Sequence, residues 1–353
     1  MEYVYDYLSF LAQAATVVVA VLIVVAGVLA LRMRREHHGE GRLEVRKLND
    51  QLSDLKVRVQ EAMLPATAVR RARKQEQKAH KKTAKQEAKA LKKTGGRPSP
   101  ERKHIYVIDF AGDLQASQVR MLRTEITAVL LAAQESDEVL VRLESAGGMV
   151  HGYGLAASQL DRVRRQGISL VVAVDKVAAS GGYLMAAVAN RILAAPFAVL
   201  GSIGVVAQIP NVHRLLKRHD VDVEVLTAGK YKRTLTVLGE NTEEGRQKFI
   251  EELEDVHRLF QDFVGTRRAQ LDIDAVATGE TWYGQQALDM KLVDEVLTSD
   301  EYLVQQSEHA DIYEVRWVEH KRPIERLMAH MESSASRVAG RWVETISQWR
   351  GGL

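Results

Sequence analysis

Cysteine is absent from the 353 residues. Disulfides, thiolate nucleophiles and cysteine-ligated zinc are excluded, although a chain without cysteine tolerates an oxidising or a reducing compartment alike. Net charge is small as well, at +3, but the charges are unevenly placed. From Leu8 to Leu31 there is no charged side chain. At about 1.5 Å per residue that run is long enough to cross a hydrocarbon core of about 30 Å. From Arg70 to Lys93 the reverse holds: lysine and arginine dominate, aromatics are missing and aliphatic side chains larger than alanine are nearly so. Such a run cannot build a core, and it has no rings to stack on bases. Hydrophobic content of 46% and charged content of 27% are ordinary, so composition alone names no activity.

The acidic leader with Glu2 and Asp6, and Arg32, Arg34 and Arg35 on the far side, argue for a retained anchor at 8–31 rather than a cleaved signal. Basic residues on the C-terminal side predict that this side faces the cytoplasm. Residues 1–7 form a short N-terminal segment. Residues 32–103 form a helical and basic linker, with an amphipathic helix expected over 43–63 whose seam is Leu48, Leu52, Leu55, Val59 and Ala62. Beyond an anchor, the basic run suits anionic lipid heads better than nucleic acid; a solvated linker is the plainer reading. Gly95-Gly96-Arg97-Pro98-Ser99-Pro100 breaks any helix.

The pattern then alternates between apolar strands and amphipathic helices. Strands are expected at 105–110, 138–143, 168–174 and 221–226, and helices at 117–133, 153–165 and 239–268, the last begun by Thr242-Glu243-Glu244. Such alternation predicts an α/β domain over 104–310. A strand at 313–318 and an amphipathic helix form an extension over 311–353. The apolar run 184–209 contains Asn190, Arg191 and Pro196. It reads as a buried helix and core strands rather than a second span.

Two strand-to-helix turns rich in small residues carry the candidate chemistry. Ser180 stands between Ala178-Ala179 and Gly181-Gly182. A serine there has the unpaired N–H groups of a helix start within reach, although for a lone serine an ordinary helix cap is the better explanation. Glu144-Ser145-Ala146-Gly147-Gly148-Met149 forms the second turn. Further on, Lys230 and Lys232 flank Tyr231. A lysine acting as base must be neutral, which burial achieves at a cost of roughly 4 to 5 kcal/mol. Spacing does not choose between the two, since both point the same way from an extended segment. His151, His213 and His219 are the candidates for a rival serine–histidine–aspartate arrangement.

Ser145-Ala146-Gly147-Gly148, Ala178-Ala179-Ser180-Gly181-Gly182-Tyr183, Gly201-Ser202-Ile203-Gly204-Val205 and Ala228-Gly229-Lys230-Tyr231-Lys232 follow one another in the order and spacing of a known family. The chain resembles the signal peptide peptidase family over nearly its whole length, and its anchor and basic linker resemble the SohB branch. The resemblance implies a ClpP/crotonase-like α/β domain, a nucleophile at Ser180 and a general base at Lys232. It also implies oxyanion donors at the N–H groups of Gly148 and Gly181, with Ser202 orienting the lysine. It implies no metal and no organic cofactor. Its further implications are apolar or signal-peptide-like substrates, a homo-oligomer and a bacterial inner-membrane location, where a periplasmic domain is the alternative to a cytoplasmic one. A specific nucleic-acid partner is not expected. The family has proline where Ala146 stands, a change that loosens the turn without removing an N–H donor. A catalytically silent membrane scaffold of the same fold is the reading from another class.

Overall fold

The computed structural model describes residues 41–63 and 102–319. The expected span at 8–31, the basic run at 70–93 and the C-terminal helix lie outside the described residues. Among the described residues no helix is long and apolar enough to cross a membrane. The chain divides into two compact units, and almost all of the described residues belong to the one spanning 43–317.

The strands of this unit, of which the first and last each run two residues past its bounds, are β1 (Gly41–Lys47), β2 (Lys103–Gly112), β3 (Glu138–Ser145), β4 (Ser169–Val174), β5 (Val177–Ala179), β6 (Arg191–Ala194), β7 (Val199–Gly201), β8 (Thr281–Tyr283), β9 (Glu295–Val296) and β10 (Ala310–Glu319). Its helices are α1 (Leu48–Met63), α2 (Val119–Ala132), α3 (Val150–Arg165), α4 (Gly181–Ala186), α5 (His213–Arg218), α6 (Glu243–Arg267), α7 (Ile273–Val276), α8 (Gly284–Asp289) and α9 (Ser299–Ser307). The main path of the sheet runs β1-β10-β2-β3-β4-β6-β9. Neighbours from β10 to β9 are parallel. This is the α/β arrangement that the alternating pattern predicts.

Parallel strands buried on both faces read as unbroken apolar runs, and Leu170, Val171, Val172, Ala173 and Val174 show it, with none more than 2% exposed. Alternate residues serve opposite faces. Ile108 and Phe110 join the larger core with Leu122 and Ile126 of α2 and with Ala156 and Leu160 of α3. Ile105 and Val107 join a smaller one with Tyr302 and Leu303 of α9.

Near its C-terminal end the sheet forks. β3 pairs with β4 from Glu138 to Arg142, but its last residue, Ser145, pairs with Ala178 of β5. β5 pairs in turn with β7, which meets β8 antiparallel. This fork sets the turn at 145–148 beside the turn that carries Ser180.

Three local expectations change. Residues 43–47 extend β1 rather than the helix, which starts at Leu48. The Asn49 side chain explains the break: it donates to the carbonyls of Ser307 and Ala310 and accepts from the Ile312 N–H, clasping the α1 start to β10. β10 is not an appendage either. It lies inside the sheet against β2, so the strand expected beyond residue 310 is continuous with the α/β unit. The stretch 221–226 is irregular, not a strand, because no sheet edge among the described residues meets it and Val221, Val225 and Leu226 are exposed. By contrast α6 starts where expected, with the Thr242 hydroxyl capping Gly245 N–H, a contact worth about 1 kcal/mol.

One buried carboxyl makes stability depend on pH. Glu125 of α2 is 4% exposed and accepts from Trp317 N–H of β10. Burial is the main cause that pushes its pKa from 4.5 to about 7; nearby Asp109 pushes the same way, while the Trp317 N–H and Arg316 oppose it. The folded chain therefore keeps a proton that the unfolded chain releases, so stability is full below the ordinary carboxyl value and is lost as pH rises through about 7. Glu125→Gln keeps an acceptor but no longer titrates. Its Tm should fall less than that of the wild type between about pH 5 and pH 8, measured by thermal unfolding.

Candidate active site

Ser180 follows β5 and precedes α4 with φ +51° and ψ −119°. A serine gains nothing intrinsically from that conformation, which costs roughly 1 to 3 kcal/mol and persists only where the surroundings impose it. Here its N–H donates to the Gly201 carbonyl at 2.8 Å and its carbonyl accepts from Leu184 N–H at 2.9 Å. Tyr183 anchors the same helix from beneath: its buried hydroxyl donates to the Leu292 carbonyl.

Close backbone approach explains the glycines around the serine. A Cβ on Gly181 would lie 2.4 Å from Cγ of Tyr153, and one on Gly182 would lie 2.5 Å from the Ser145 carbonyl oxygen. Gly147, at φ +92°, would place a Cβ 2.7 Å from Ser180 Cβ and 2.8 Å from Gly181 N, so this turn is pressed onto the serine. A Cβ on Gly148 would meet the Leu114 carbonyl oxygen at 2.2 Å. Met149 N–H donates to that same oxygen, whereas the Gly148 N–H makes no hydrogen bond among the described residues. Beneath the turn, Ser145 Oγ lies 3.1 Å from Gly147 N and 2.6 Å from the Tyr153 hydroxyl, which reaches the Asp113 carbonyl at 2.8 Å.

Ser202 directly follows Gly201, the residue that holds Ser180 N–H. It too has a positive φ, +52°, fixed by its N–H donating to the Glu280 carbonyl. The structure therefore brings the segments of Ser180, Gly148, Gly181 and Ser202 to one end of the sheet.

No contact among the described residues joins Lys232 to that end of the sheet. Lys232 is exposed on the irregular stretch between α5 and α6. Among the described residues no hydrogen bond links it to Ser180 or Ser202. The two lysines nevertheless differ. Lys230 is ion-paired with Glu244 at 2.6 Å and lies 5.0 Å from the Tyr231 ring centroid, and the Glu244 hydrogen bond above all pushes its pKa upward. A lysine held protonated in this way is unfit as a base. The side chain of Lys232 has no such partner among the described residues. His151 and His219 are exposed, and among the described residues no hydrogen bond connects either of them, or His213, to Ser180.

Sequence reasoning misses Tyr153, which packs under Gly181 and reaches the Gly147 turn through Ser145. Within His151-Gly152-Tyr153-Gly154 it reads only as a helix residue. The hint is the serine opening the Ser145-Ala146-Gly147-Gly148 motif, whose side chain the motif leaves without a role.

Comparison with known proteins agrees with the motif resemblance. Residues 2–160 match the family described as Peptidase family S49 N-terminal, and residues 162–313 match Peptidase family S49. A probable protease SohB of Haemophilus influenzae is 49% identical over 340 residues, covering 95% of each chain. A probable protease SohB of Buchnera aphidicola subsp. Acyrthosiphon pisum is 52% identical over 235 residues, 67% of this chain and 70% of that one. Among solved structures, a lysine-to-alanine mutant of the 1510-N membrane-bound stomatin-specific protease in complex with a substrate peptide matches at TM-score 0.40 and 11% identity, covering 65% of this chain and 98% of that one. The chain belongs to peptidase family S49 and is a peptidase, taking peptide or protein substrates.

Proposed function

We propose that this peptidase is a membrane-anchored serine endopeptidase with a ClpP/crotonase-like domain, in which Ser180 is the nucleophile and Lys232 the general base. The observation that carries the reading is the strained backbone of Ser180 against the turn of Gly147 and Gly148, where the Gly148 N–H has no partner among the described residues. In this reading Ser180 Oγ attacks the peptide carbonyl while Lys232 takes its proton. The N–H groups of Gly148 and Gly181 hold the oxyanion, and Ser202 orients the lysine. The amine leaves with that proton, and a water deprotonated by Lys232 releases the acyl group from Ser180.

Lys232 must come over Ser180 and be shielded from water for this chemistry. Its stretch of chain exposes Leu226 and Tyr231, and the chain leading into it exposes Val206 and, on α5, Leu215. Assembly of several copies would cover that apolar surface and supply the shielding, in keeping with a homo-oligomer. Apolar peptides such as signal-peptide remnants are the proposed substrates. An anchor at 8–31, an inner-membrane location and a cytoplasmic domain complete the reading.

The exposure of Lys232, with no hydrogen bond to Ser180 or Ser202 among the described residues, favours a single second reading, a silent scaffold of the same fold. Hydrolysis of a quenched apolar peptide by the full chain in detergent separates the two. Turnover that disappears in Ser180→Ala is expected; absence of any Ser180-dependent turnover assigns the scaffold.

A further inference from the structure

Ser145 and Tyr153 are buried, at 2% and 0% exposure, and the chemistry above uses neither. The direction of every hydrogen bond between them can be read from donor count alone. A tyrosine hydroxyl has one proton, and the Asp113 carbonyl at 2.8 Å only accepts, so that proton is committed there. The 2.6 Å contact must then use the proton of Ser145, which donates to the Tyr153 oxygen. Ser145 Oγ keeps a lone pair for Gly147 N–H at 3.1 Å. The result is one directed chain, from Gly147 N–H through Ser145 and Tyr153 to the Asp113 carbonyl. Burial pushes the Tyr153 phenol up, which keeps it a donor.

The two ends of Tyr153 serve different segments. Its hydroxyl end ties the turn of Gly147 and Gly148 to the loop of Asp113 and Leu114, whose Leu114 carbonyl accepts from Met149 N–H. Its ring lies flush under Gly181, leaving no room for a Cβ there. One buried side chain therefore touches the supports of both N–H groups assigned to the oxyanion. Donors aimed in advance at a developing charge contribute more than donors that must be rearranged, and a displacement of about 1 Å can cost about a hundredfold in rate.

We infer that Ser145 and Tyr153 are positioning residues that hold the Gly148 and Gly181 N–H groups in register with each other before substrate binds. This rests on the assignment of Ser180 as nucleophile.

The test uses the full chain in detergent, with active sites counted by a fluorophosphonate and turnover of a quenched apolar peptide expressed per titrated site. Tyr153→Phe keeps the ring and removes the relay; Ser145→Ala removes the relay from its other end. Each is expected to lower kcat about ten- to a hundredfold with KM changed less than about threefold. The double variant should be no worse than the poorer single one, because both act through one chain of hydrogen bonds. If Tyr153→Phe does not fold, Ser145→Ala carries the test. Wild-type kcat per site in the folded variants, or a loss confined to KM or to thermal stability, overturns the inference alone. Absence of Ser180-dependent turnover in the wild type overturns the nucleophile assignment and the inference with it.

Discussion

Lys232→Ala is expected to lower kcat for peptide hydrolysis about ten-thousandfold, while Lys230→Ala stays within about threefold of the wild type. The two side chains are separated by one residue, so position along the chain does not explain so large a difference. Their partners do. Lys230 gives its charge to Glu244 and to the Tyr231 ring, and these contacts favour the protonated state. Lys232 has no counter-charge among the described residues, so moving it out of water breaks no ion pair. Steady-state kinetics on the full chain measures both variants, and circular dichroism checks that each is folded. A loss in Lys230→Ala as large as that in Lys232→Ala would contradict the assignment.

Gly181→Ala is expected to lower activity less than Lys232→Ala but still severely, by a different route through the proposed oxyanion donors. The new methyl would lie 2.4 Å from Cγ, 2.7 Å from Cδ2 and 2.8 Å from Cβ of Tyr153. That ring is fully buried and cannot swing away, since its hydroxyl is tied to Ser145 and Asp113. The α4 start must move instead, carrying Ser180 and the Gly181 N–H off the Gly147 turn. Overpacking of this kind costs about 1 to 3 kcal/mol, and misplacing an oxyanion donor costs about a hundred- to a thousandfold in kcat. Gly154→Ala supplies the control. Nothing lies within 4 Å of a Cβ there, on α3. The added alanine should leave kcat unchanged and raise stability by up to about 1 kcal/mol. If the packing around Gly181 is the cause, thermal unfolding shifts in opposite directions in the two variants and kcat falls only in Gly181→Ala.

Legibility from sequence followed the range of the interactions involved. Strand β4 and the Thr242 cap are decided within a few residues of themselves, and the sequence pattern places both. The motif around Ser180 likewise marks a strand-to-helix turn, although its positive φ depends on Gly201 and Gly147, which come from other elements. Long-range pairing is where the pattern fails. β10 shows strand periodicity, but its place between β1 and β2 is set by register with residues of a strand far earlier in the chain. The stretch 221–226 shows the same periodicity with no edge to pair against among the described residues. The clasp that ends β1 is a single asparagine reaching across to β10, a contact that no periodicity encodes. The Lys230–Glu244 pair that separates two neighbouring lysines is equally invisible in one dimension.

The most direct test is to treat the full chain in detergent with a fluorophosphonate and map the adduct by peptide mass spectrometry in the wild type and in Lys232→Ala. A single adduct on the peptide carrying Ser180, lost when Lys232 is replaced, is the predicted result. An adduct on another residue, or labelling of Ser180 at the same rate without Lys232, would contradict the assignment of this pair.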